Sequence, residues 1–238
     1  MDRLDDRIAL VTGGGGALGR HVVREFLSAG ARVHVPVFRE EEGEELRAFL
    51  EDHERLSLHG DGDLTKSSEV ARIVSEVEDR AGRGPDILLN LAGGFSMAPI
   101  EETGDEEWEH LLAMNATTAF LCSRAVFPGM RERGWGRIVN MSALPALEGG
   151  GKGMSAYGAA KAAVLNLTGT LFREGMGHGI TSNTILPSII DTPANRAAMP
   201  DADHSTWVTP REIATLCRFL STDAARAITG ASLTMRLD

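Results

Sequence analysis

Short runs of strand character alternate with longer stretches of helical periodicity along the chain. The strand-like runs lie at residues 7–13, 31–38, 55–64, 86–94, 136–143, 180–188 and 232–237. Between them apolar positions recur with helical spacing, which predicts helices at 17–30, 40–53, 67–82, 105–134, 155–177 and 210–222. The chain is therefore predicted to consist of strands and helices in turn.

This alternation predicts an α/β fold in which a doubly wound parallel sheet of about seven strands has helices on both faces. Most of the strand-like runs lack polar alternation, as expected of strands that are covered on both sides. The length of 238 residues suits one large domain or two small ones, and the sequence contains no internal repeat or linker that would divide it. We therefore predict a single domain over residues 1–238.

Composition and charge narrow the classes of partner. The formal net charge is −10 and no basic stripe is present, so nucleic acid is not expected. No apolar run reaches the length of a membrane span, and the seven histidines lack metal-ligand spacing. Cys122 and Cys217 fall in helical patterns, and the N-terminal residues do not resemble a leader peptide. These features predict a cytoplasmic protein that binds no metal ion and acts on a small molecule.

The stretch VTGGGGALGR follows the first predicted strand and opens the first predicted helix. Glycines let the backbone turn tightly and approach a pyrophosphate, which then lies at the positive end of the helix. A glycine-rich loop alone is a weak signal, but this position in a doubly wound pattern makes it a strong one. The sequence therefore predicts a Rossmann-type, dinucleotide-binding domain.

Tyr157 and Lys161 stand four residues apart in a predicted helix and therefore share one face of it. A tyrosine hydroxyl has a pKa near ~10, so proton transfer at neutral pH requires a lower pKa, and a lysine ammonium one turn away has the right charge to provide it. Such a pair is also common at the edge of an amphipathic helix. Its occurrence after the glycine loop, Asn90 and Asn115 favours a catalytic role.

These motifs together resemble the short-chain dehydrogenase/reductase family over essentially the whole chain. TGGGGALG is similar to the family's TGxxxGxG, with Ala17 in place of the middle glycine, and LLNLAGG is similar to its NNAG, with Leu91 replacing the second asparagine. Asn115 matches the mid-helix asparagine, and Tyr157 with Lys161 matches YxxxK. NTILPSIIDT is similar to the segment that covers the nicotinamide.

The resemblance implies an NAD(P)H-dependent oxidoreductase that transfers hydride, with a substrate loop near residues 188–209. Tyr157 is the implied proton donor or acceptor, Lys161 the ligand of the nicotinamide ribose, and Asn115 the holder of a water that passes the proton outward. The implied cofactor-binding residues, besides Tyr157 and Lys161, are Gly13, Gly15, Gly16, Leu18 and Gly19 in the pyrophosphate loop, Asp63 and Leu64 at the adenine, Asn90, Ala92 and Gly93 after the fourth strand, and Pro187, Ile190 and Thr192 around the nicotinamide.

A narrower resemblance is to the dihydropteridine reductase branch of this family. It rests on GGALG, AGGF, YGAAK and above all LPSIIDTPANRAAMPDADHSTW, which the fold does not require. It implies that the enzyme reduces a quinonoid dihydropterin or a similar planar substrate, with Phe95 and Trp207 as candidate stacking groups. The alternative is that a shared loop architecture serves a different substrate.

The sequence gives mixed signals about which nicotinamide dinucleotide is bound. NAD-preferring enzymes have an acidic residue at the end of the second strand, where this chain has Val37 followed by Phe38 and Arg39. Arg39 could bind a 2′-phosphate, which favours NADPH, or it could pair with its acidic neighbours. The acidic cluster REEEGEE itself is predicted to be a solvated first helical turn.

The family's substrate-polarising serine is displaced in this chain. Its place at the end of the fifth strand is taken by Ala143, and Ser142 is the residue before it. Successive side chains of a strand point to opposite faces, so Ser142 replaces the missing serine only if the strand end twists or bulges. The dihydropteridine reductases that this chain resembles also carry alanine at this place.

Two other functions and an oligomeric assembly are also compatible with the sequence. One function is that of a generic ketone or alcohol dehydrogenase, and the other is that of a non-catalytic nucleotide-binding sensor that kept the fold. The predicted helices also carry more apolar positions at 117–127 and 162–172 than one buried face needs. Together with the family resemblance, this predicts a homodimer or homotetramer.

Overall fold

Seven parallel strands form a single sheet in the computed structural model, which describes residues 3–237. The spatial order is β3-β2-β1-β4-β5-β6-β7, and every neighbouring pair is parallel. The fold class predicted from the alternating pattern is therefore confirmed. The strands are β1 Ile8–Thr12, β2 Arg32–Pro36, β3 Leu56–His59, β4 Ile87–Asn90, β5 Gly136–Met141, β6 Ile180–Pro187 and β7 Ser232–Met235.

Helices cover both faces of this sheet. The helices are α1 Gly19–Ser28, α2 Glu40–Leu50, α3 Ser67–Ala81, α4 Asp105–Leu112, α5 Thr118–Arg133, α6 Leu144–Leu147, α7 Ser155–Gly175, α8 Pro193–Ala198 and α9 Pro210–Leu220. Residues of α1, α2 and α9 form one hydrophobic core with the sheet, and residues of α3, α5 and α7 form the other. Within residues 3–237, none of these helices has the length and apolar character needed to cross a bilayer.

The predicted helix at 105–134 is divided by one turn of π-helix. That turn spans Ala113–Thr117 and separates α4 from α5. The sequence also gave no indication of α6 or α8, which are shorter than helical periodicity can reveal. Helix α2 ends at Leu50 because Glu51 and Asp52 adopt left-handed φ angles of 56° and 51°.

The sheet order places a crevice at the carboxyl ends of β1 and β4. The chain runs outward from β1 to β3 and then returns to β4 on the other side of β1, so the direction of winding reverses between these two strands. Ligands of open parallel sheets bind at such a switch point. The glycine-rich loop after β1 and the segment after β4 both lie there.

Candidate active site

The loop between β1 and α1 is packed so tightly that only glycine fits at several positions. Gly13 has a left-handed φ of 63°, and a Cβ there would lie 2.9 Å from the Cα of Ala92. A Cβ on Gly19 would lie 2.7 Å from the Cα of Gly14. The backbone N–H of Gly16 donates to the carbonyl of Gly13 at 3.1 Å. These contacts bring the loop against the backbone that follows β4.

The N-terminus of α1 is open to an anion. Leu18 precedes the helix without a side-chain cap, and the first turn contains no acidic residue. The helix dipole then favours a phosphate at this end, where the backbone N–H groups of Arg20, His21 and Val22 are bonded to carbonyls of the preceding turn. The cavity beside it has a volume of about 1040 Å³, and the predicted cofactor residues that line it are Gly13, Gly15, Gly16, Arg39, Asp63, Leu64, Ala92 and Gly93.

At the proposed adenine end, the carboxylate of Asp63 is already bound within its own loop. It accepts from the backbone N–H and the hydroxyl of Thr65, at 3.1 and 2.5 Å, and pairs with Lys66 at 2.9 Å. The hydrogen bond from the Thr65 hydroxyl is the main reason that the pKa of Asp63 is lowered. Asp63 therefore shapes the wall of the cavity, and Leu64 beside it is buried.

Asn90 lies beneath the crevice in a buried polar row that crosses the sheet. Its Nδ2 donates to Oδ1 of Asn140 at 2.7 Å, and Nδ2 of Asn140 donates to the hydroxyl of Thr168 at 2.8 Å. Thr184 donates to the same hydroxyl at 2.5 Å. Asn90 thus ties β4 to β5 and α7 and does not line the cavity, a positioning role that the motif alone did not reveal.

Tyr157 and Lys161 lie on one face of α7 at the inner end of the crevice. The Nζ of Lys161 is buried, lies 5.8 Å from the centre of the Tyr157 ring and donates to the carbonyl of Met141 at 3.0 Å. A Cβ on Gly93 would lie 3.4 Å from this Nζ. The predicted pair is therefore brought next to the segment after β4, and the ammonium keeps further donors for a ligand.

Burial shifts the pKa values of both groups away from the charged forms. It raises the pKa of Tyr157 to about 12 and lowers the pKa of Lys161 to about 8. Lys161 is nevertheless mostly protonated at neutral pH. In the protein alone, Tyr157 is therefore a neutral phenol that can donate a proton but does not readily lose one without further positive charge nearby.

Asn115 occupies the centre of the π-helical turn. Its Nδ2 donates to the carbonyls of Leu111 at 2.9 Å and Gly94 at 3.1 Å, and its Oδ1 accepts from the N–H of Gly94 at 3.3 Å. Single π-helical turns are frequent at functional sites. The buried side chain fixes the loop after β4, and its contacts are with backbone groups.

Ser142 points away from the crevice. Its hydroxyl is buried and donates to the backbone carbonyl of Lys161 at 2.8 Å, so it anchors α7 to the end of β5. Ala143 follows with an extended backbone, at φ −153° and ψ 155°. The extended backbone turns the next side chain to the opposite side. The bulge that would let Ser142 take the family serine's place is not present.

The segment at 188–209 is organised by backbone and side-chain contacts within itself. Ile190 bridges to Val208, and Thr192 caps α8 by accepting from the N–H of Asn195 at 3.2 Å. Pro187 ends β6. Each of these residues thus has a local structural role.

The same is true of the residues that carry the narrower resemblance. Asp191 binds Arg196 through two contacts, at 2.5 and 2.9 Å. Trp207 is buried and packs on His204 with 4.3 Å between ring centres, so it is a core residue and not a stacking platform. The string that we considered free of structural demands therefore builds the loop, which favours shared loop architecture as its explanation.

Phe95 is the exposed aromatic group in contact with Tyr157. It is 60% exposed and meets the ring of Tyr157 edge to face, with 4.9 Å between the centres. An exposed aromatic ring can stack on a planar ligand in an offset arrangement. Of the two aromatic candidates, Phe95 lies beside Tyr157.

Glu42 and Arg20 also line the cavity, and sequence reasoning missed both. Arg20 donates to the carbonyl of Gly15 at 3.1 Å from the first turn of α1. Glu42 belongs to the acidic cluster that we expected to be solvated, yet it is half-buried against the glycine loop. Residue type and helical position gave no signal for this, because the direction of the side chain depends on how α2 leaves β2.

Comparison with known proteins identifies the family of this chain. A family model described as short chain dehydrogenase matches residues 7–203. The chain belongs to the short-chain dehydrogenase family. The resemblance stated from the motifs is thereby confirmed at family level, and the chain is an oxidoreductase of this type.

Three similar proteins illustrate the range within the family. The D-beta-hydroxybutyrate dehydrogenase of Rhizobium meliloti is 31% identical, with 96% of each chain covered. A 3-oxoacyl-acyl-carrier-protein reductase of Vibrio cholerae is 30% identical, covering 97% of this chain and 96% of its own. The structure of levodione reductase superimposes with a TM-score of 0.90 at 26% identity, covering 98% and 97%. None of the three is named as a pterin reductase.

Proposed function

We propose that this short-chain dehydrogenase uses a nicotinamide dinucleotide to reduce a planar, conjugated substrate, with Tyr157 as the proton donor. The observation that carries the proposal is the convergence of Tyr157, the buried Lys161 ammonium and Gly93 at the inner end of the crevice. A non-catalytic sensor would need neither the phenol nor the ammonium. Phosphate at the α1 terminus and nicotinamide near Lys161 fit this crevice.

The chain's residues divide the work of holding the cofactor. The pyrophosphate would be held by the loop of Gly13, Gly15, Gly16, Leu18 and Gly19. Residues 63–64 would hold the adenosine, and residues 92–93 would hold the second ribose. Pro187, Ile190 and Thr192 would border the nicotinamide. When bound, this group supplies the hydride and, once oxidised, a positive charge. Arg39, which makes no ion pair among residues 3–237, favours NADPH as predicted, whereas Glu42 opposes it.

Proton delivery is the task of α7. Tyr157 presents a neutral phenol, and the Lys161 ammonium beside it stabilises the phenolate left after donation. Lys161 remains in place because its Nζ is held by the Met141 carbonyl. Asn115 fixes the Gly94 backbone, and its predicted role of holding a water remains part of the proposal.

Two features favour a quinonoid dihydropterin or a similar planar ring as substrate. The exposed ring of Phe95 beside Tyr157 suits ring stacking. Ala143 stands where a carbonyl-reducing family member has a hydroxyl donor. A conjugated quinonoid imine withdraws electrons through its own ring, so one proton donor suffices. The segment at 188–209 would close over this substrate.

A generic ketone or alcohol dehydrogenase is the second candidate, because the similar proteins include a hydroxybutyrate dehydrogenase. Initial rates with a quinonoid dihydropterin and with small ketones of matched size distinguish the two. We expect the pterin to be reduced at least tenfold faster at equal concentration. Faster reduction of every ketone would reject the planar-substrate proposal and leave the dehydrogenase.

Ser142→Ala should leave most of the activity, within about threefold of the wild type. Its hydroxyl contacts the Lys161 carbonyl and does not face the substrate, so the variant loses one helix anchor of about 1 kcal/mol. Steady-state kinetics with the substrate that the wild type reduces measure the loss of activity, and a thermal melt is the folding control. A hundredfold loss, about 2.7 kcal/mol of transition-state stabilisation, would restore serine-dependent carbonyl chemistry.

We further propose a homodimer or homotetramer that packs α5 and α7 against a second copy. Phe120 is 44% exposed on α5, in a shallow apolar cavity that Leu167 of α7 also lines. Light scattering at micromolar concentration should give at least twice the monomer mass. A monomer at that concentration would contradict the assembly.

A cytoplasmic location remains our prediction, and the described structure has both cysteines free and buried.

A further inference from the structure

A carboxylate of this chain occupies the space between the glycine loop and the end of β2. Glu42 lies in the first turn of α2, and its Oε2 accepts from the backbone N–H of Phe38 at 3.3 Å. Its Oε1 lies 2.6 Å from the position that a Cβ on Gly15 would take. The side chain therefore folds back over the loop and is not directed into solvent.

That space is where dinucleotide-binding folds hold the adenosine ribose. The pyrophosphate lies at the helix after the glycine loop, and an acidic residue after the second strand accepts from the ribose 2′-hydroxyl. Here the end of β2 is followed by Val37, which is apolar and 5% exposed. Glu42 places a carboxylate near the same region from the next helix.

The charged side chains around Glu42 disfavour a 2′-phosphate on the adenosine ribose. Glu41 and Glu45 line the cavity with Glu42, against the guanidinium groups of Arg20 and Arg39. Arg20 is engaged by the Gly15 carbonyl at 3.1 Å and by Glu45 at 3.7 Å. A 2′-phosphate would bring about two negative charges beside Glu42, with Arg39 as the guanidinium left to meet them.

Resting on the proposed function, we propose that Glu42 is the specificity-determining residue for the cofactor and selects NADH over NADPH. Its carboxylate accepts a charge-assisted hydrogen bond from the ribose 2′-hydroxyl and repels a 2′-phosphate. This replaces the preference for NADPH that Arg39 suggested from the sequence.

Dissociation constants measured by nicotinamide fluorescence test this without any turnover. We expect the wild type to bind NADH at least tenfold more tightly than NADPH, and Glu42→Gln to reduce that ratio to about one. Glu44→Gln is the matched control, since it removes the same charge from an exposed position of the same helix. Competition by AMP and by adenosine 2′,5′-bisphosphate should show the same loss of preference at the adenosine end alone.

The binding data distinguish a failure of the role of Glu42 from a failure of the proposed oxidoreductase function. Tighter binding of NADPH by the wild type, or an unchanged ratio in Glu42→Gln, would overturn the role of Glu42 while leaving the oxidoreductase intact. An equal shift in Glu44→Gln would also overturn it, because general electrostatics would then explain the preference. Failure of the wild type to bind either dinucleotide would reject the proposed function, and the inference with it.

Discussion

Tyr157→Phe is expected to lower the rate of substrate reduction about a thousandfold or more, and adding Lys161→Ala should abolish it. We propose the phenol as the proton donor, and general acids contribute about 10²- to 10⁴-fold to catalysis. A thousandfold loss corresponds to about 4 kcal/mol of transition-state stabilisation. Single-turnover rates of cofactor oxidation measure the effect on the chemical step.

The binding of the cofactor provides the control for this prediction. Tyr157→Phe removes one oxygen atom from a ring that packs on Phe95, so the affinity for NADH should change by less than about fivefold. The buried Lys161 also binds the Met141 carbonyl, so the double variant needs a thermal melt to show that it folds. Retention of a tenth or more of the wild-type rate in Tyr157→Phe would show that another group delivers the proton.

Gly19→Ala is expected to weaken NADH binding a hundredfold or more and to lower the free energy of unfolding by about 2 kcal/mol. The added Cβ would lie 2.7 Å from the Cα of Gly14 and still closer to the Gly13 carbonyl. These are backbone atoms that no side-chain rotation relieves, so the loop must move away from α1. Fluorescence titration and chemical denaturation measure the two effects separately.

Gly104→Ala is the matched control for Gly19→Ala. A Cβ there meets no atom within 4 Å, and Gly104 has an ordinary φ of −75°. The control should retain wild-type affinity for NADH. If Gly19→Ala bound NADH as the wild type does, the glycine loop would not hold the pyrophosphate in the way that we describe.

The fold could be predicted largely from the sequence because short apolar strand-like runs alternate with longer stretches of helical periodicity. What escaped prediction are features decided by tertiary contacts. The π-helical turn around Asn115 forms where the loop after β4 meets the helix, through hydrogen bonds with Gly94. Helices α6 and α8 are only four and six residues long, too short for periodicity to register.

Sequence spacing could predict which side chains of the candidate site share a face, but it could not predict the direction of individual side chains. The spacing of Tyr157 and Lys161 fixes one helix face, and the structure brings that face to the crevice. The alternation argument likewise separated Ser142 from Ala143. Trp207 and Glu42 could not be placed in this way, because the first is buried by its own loop and the second folds back over Gly15.

The central claim is that Tyr157 and Lys161 serve hydride transfer from a bound nicotinamide to a planar substrate. The most direct measurement is the nicotinamide fluorescence of a stoichiometric protein–NADH complex before and after addition of a quinonoid dihydropterin. We predict that NADH emission changes on binding and is then lost within one turnover, and that Tyr157→Phe binds NADH but loses the emission about a thousandfold more slowly. A complex that keeps its emission with the pterin and with every ketone tried would contradict the account and identify a nucleotide-binding protein without this activity.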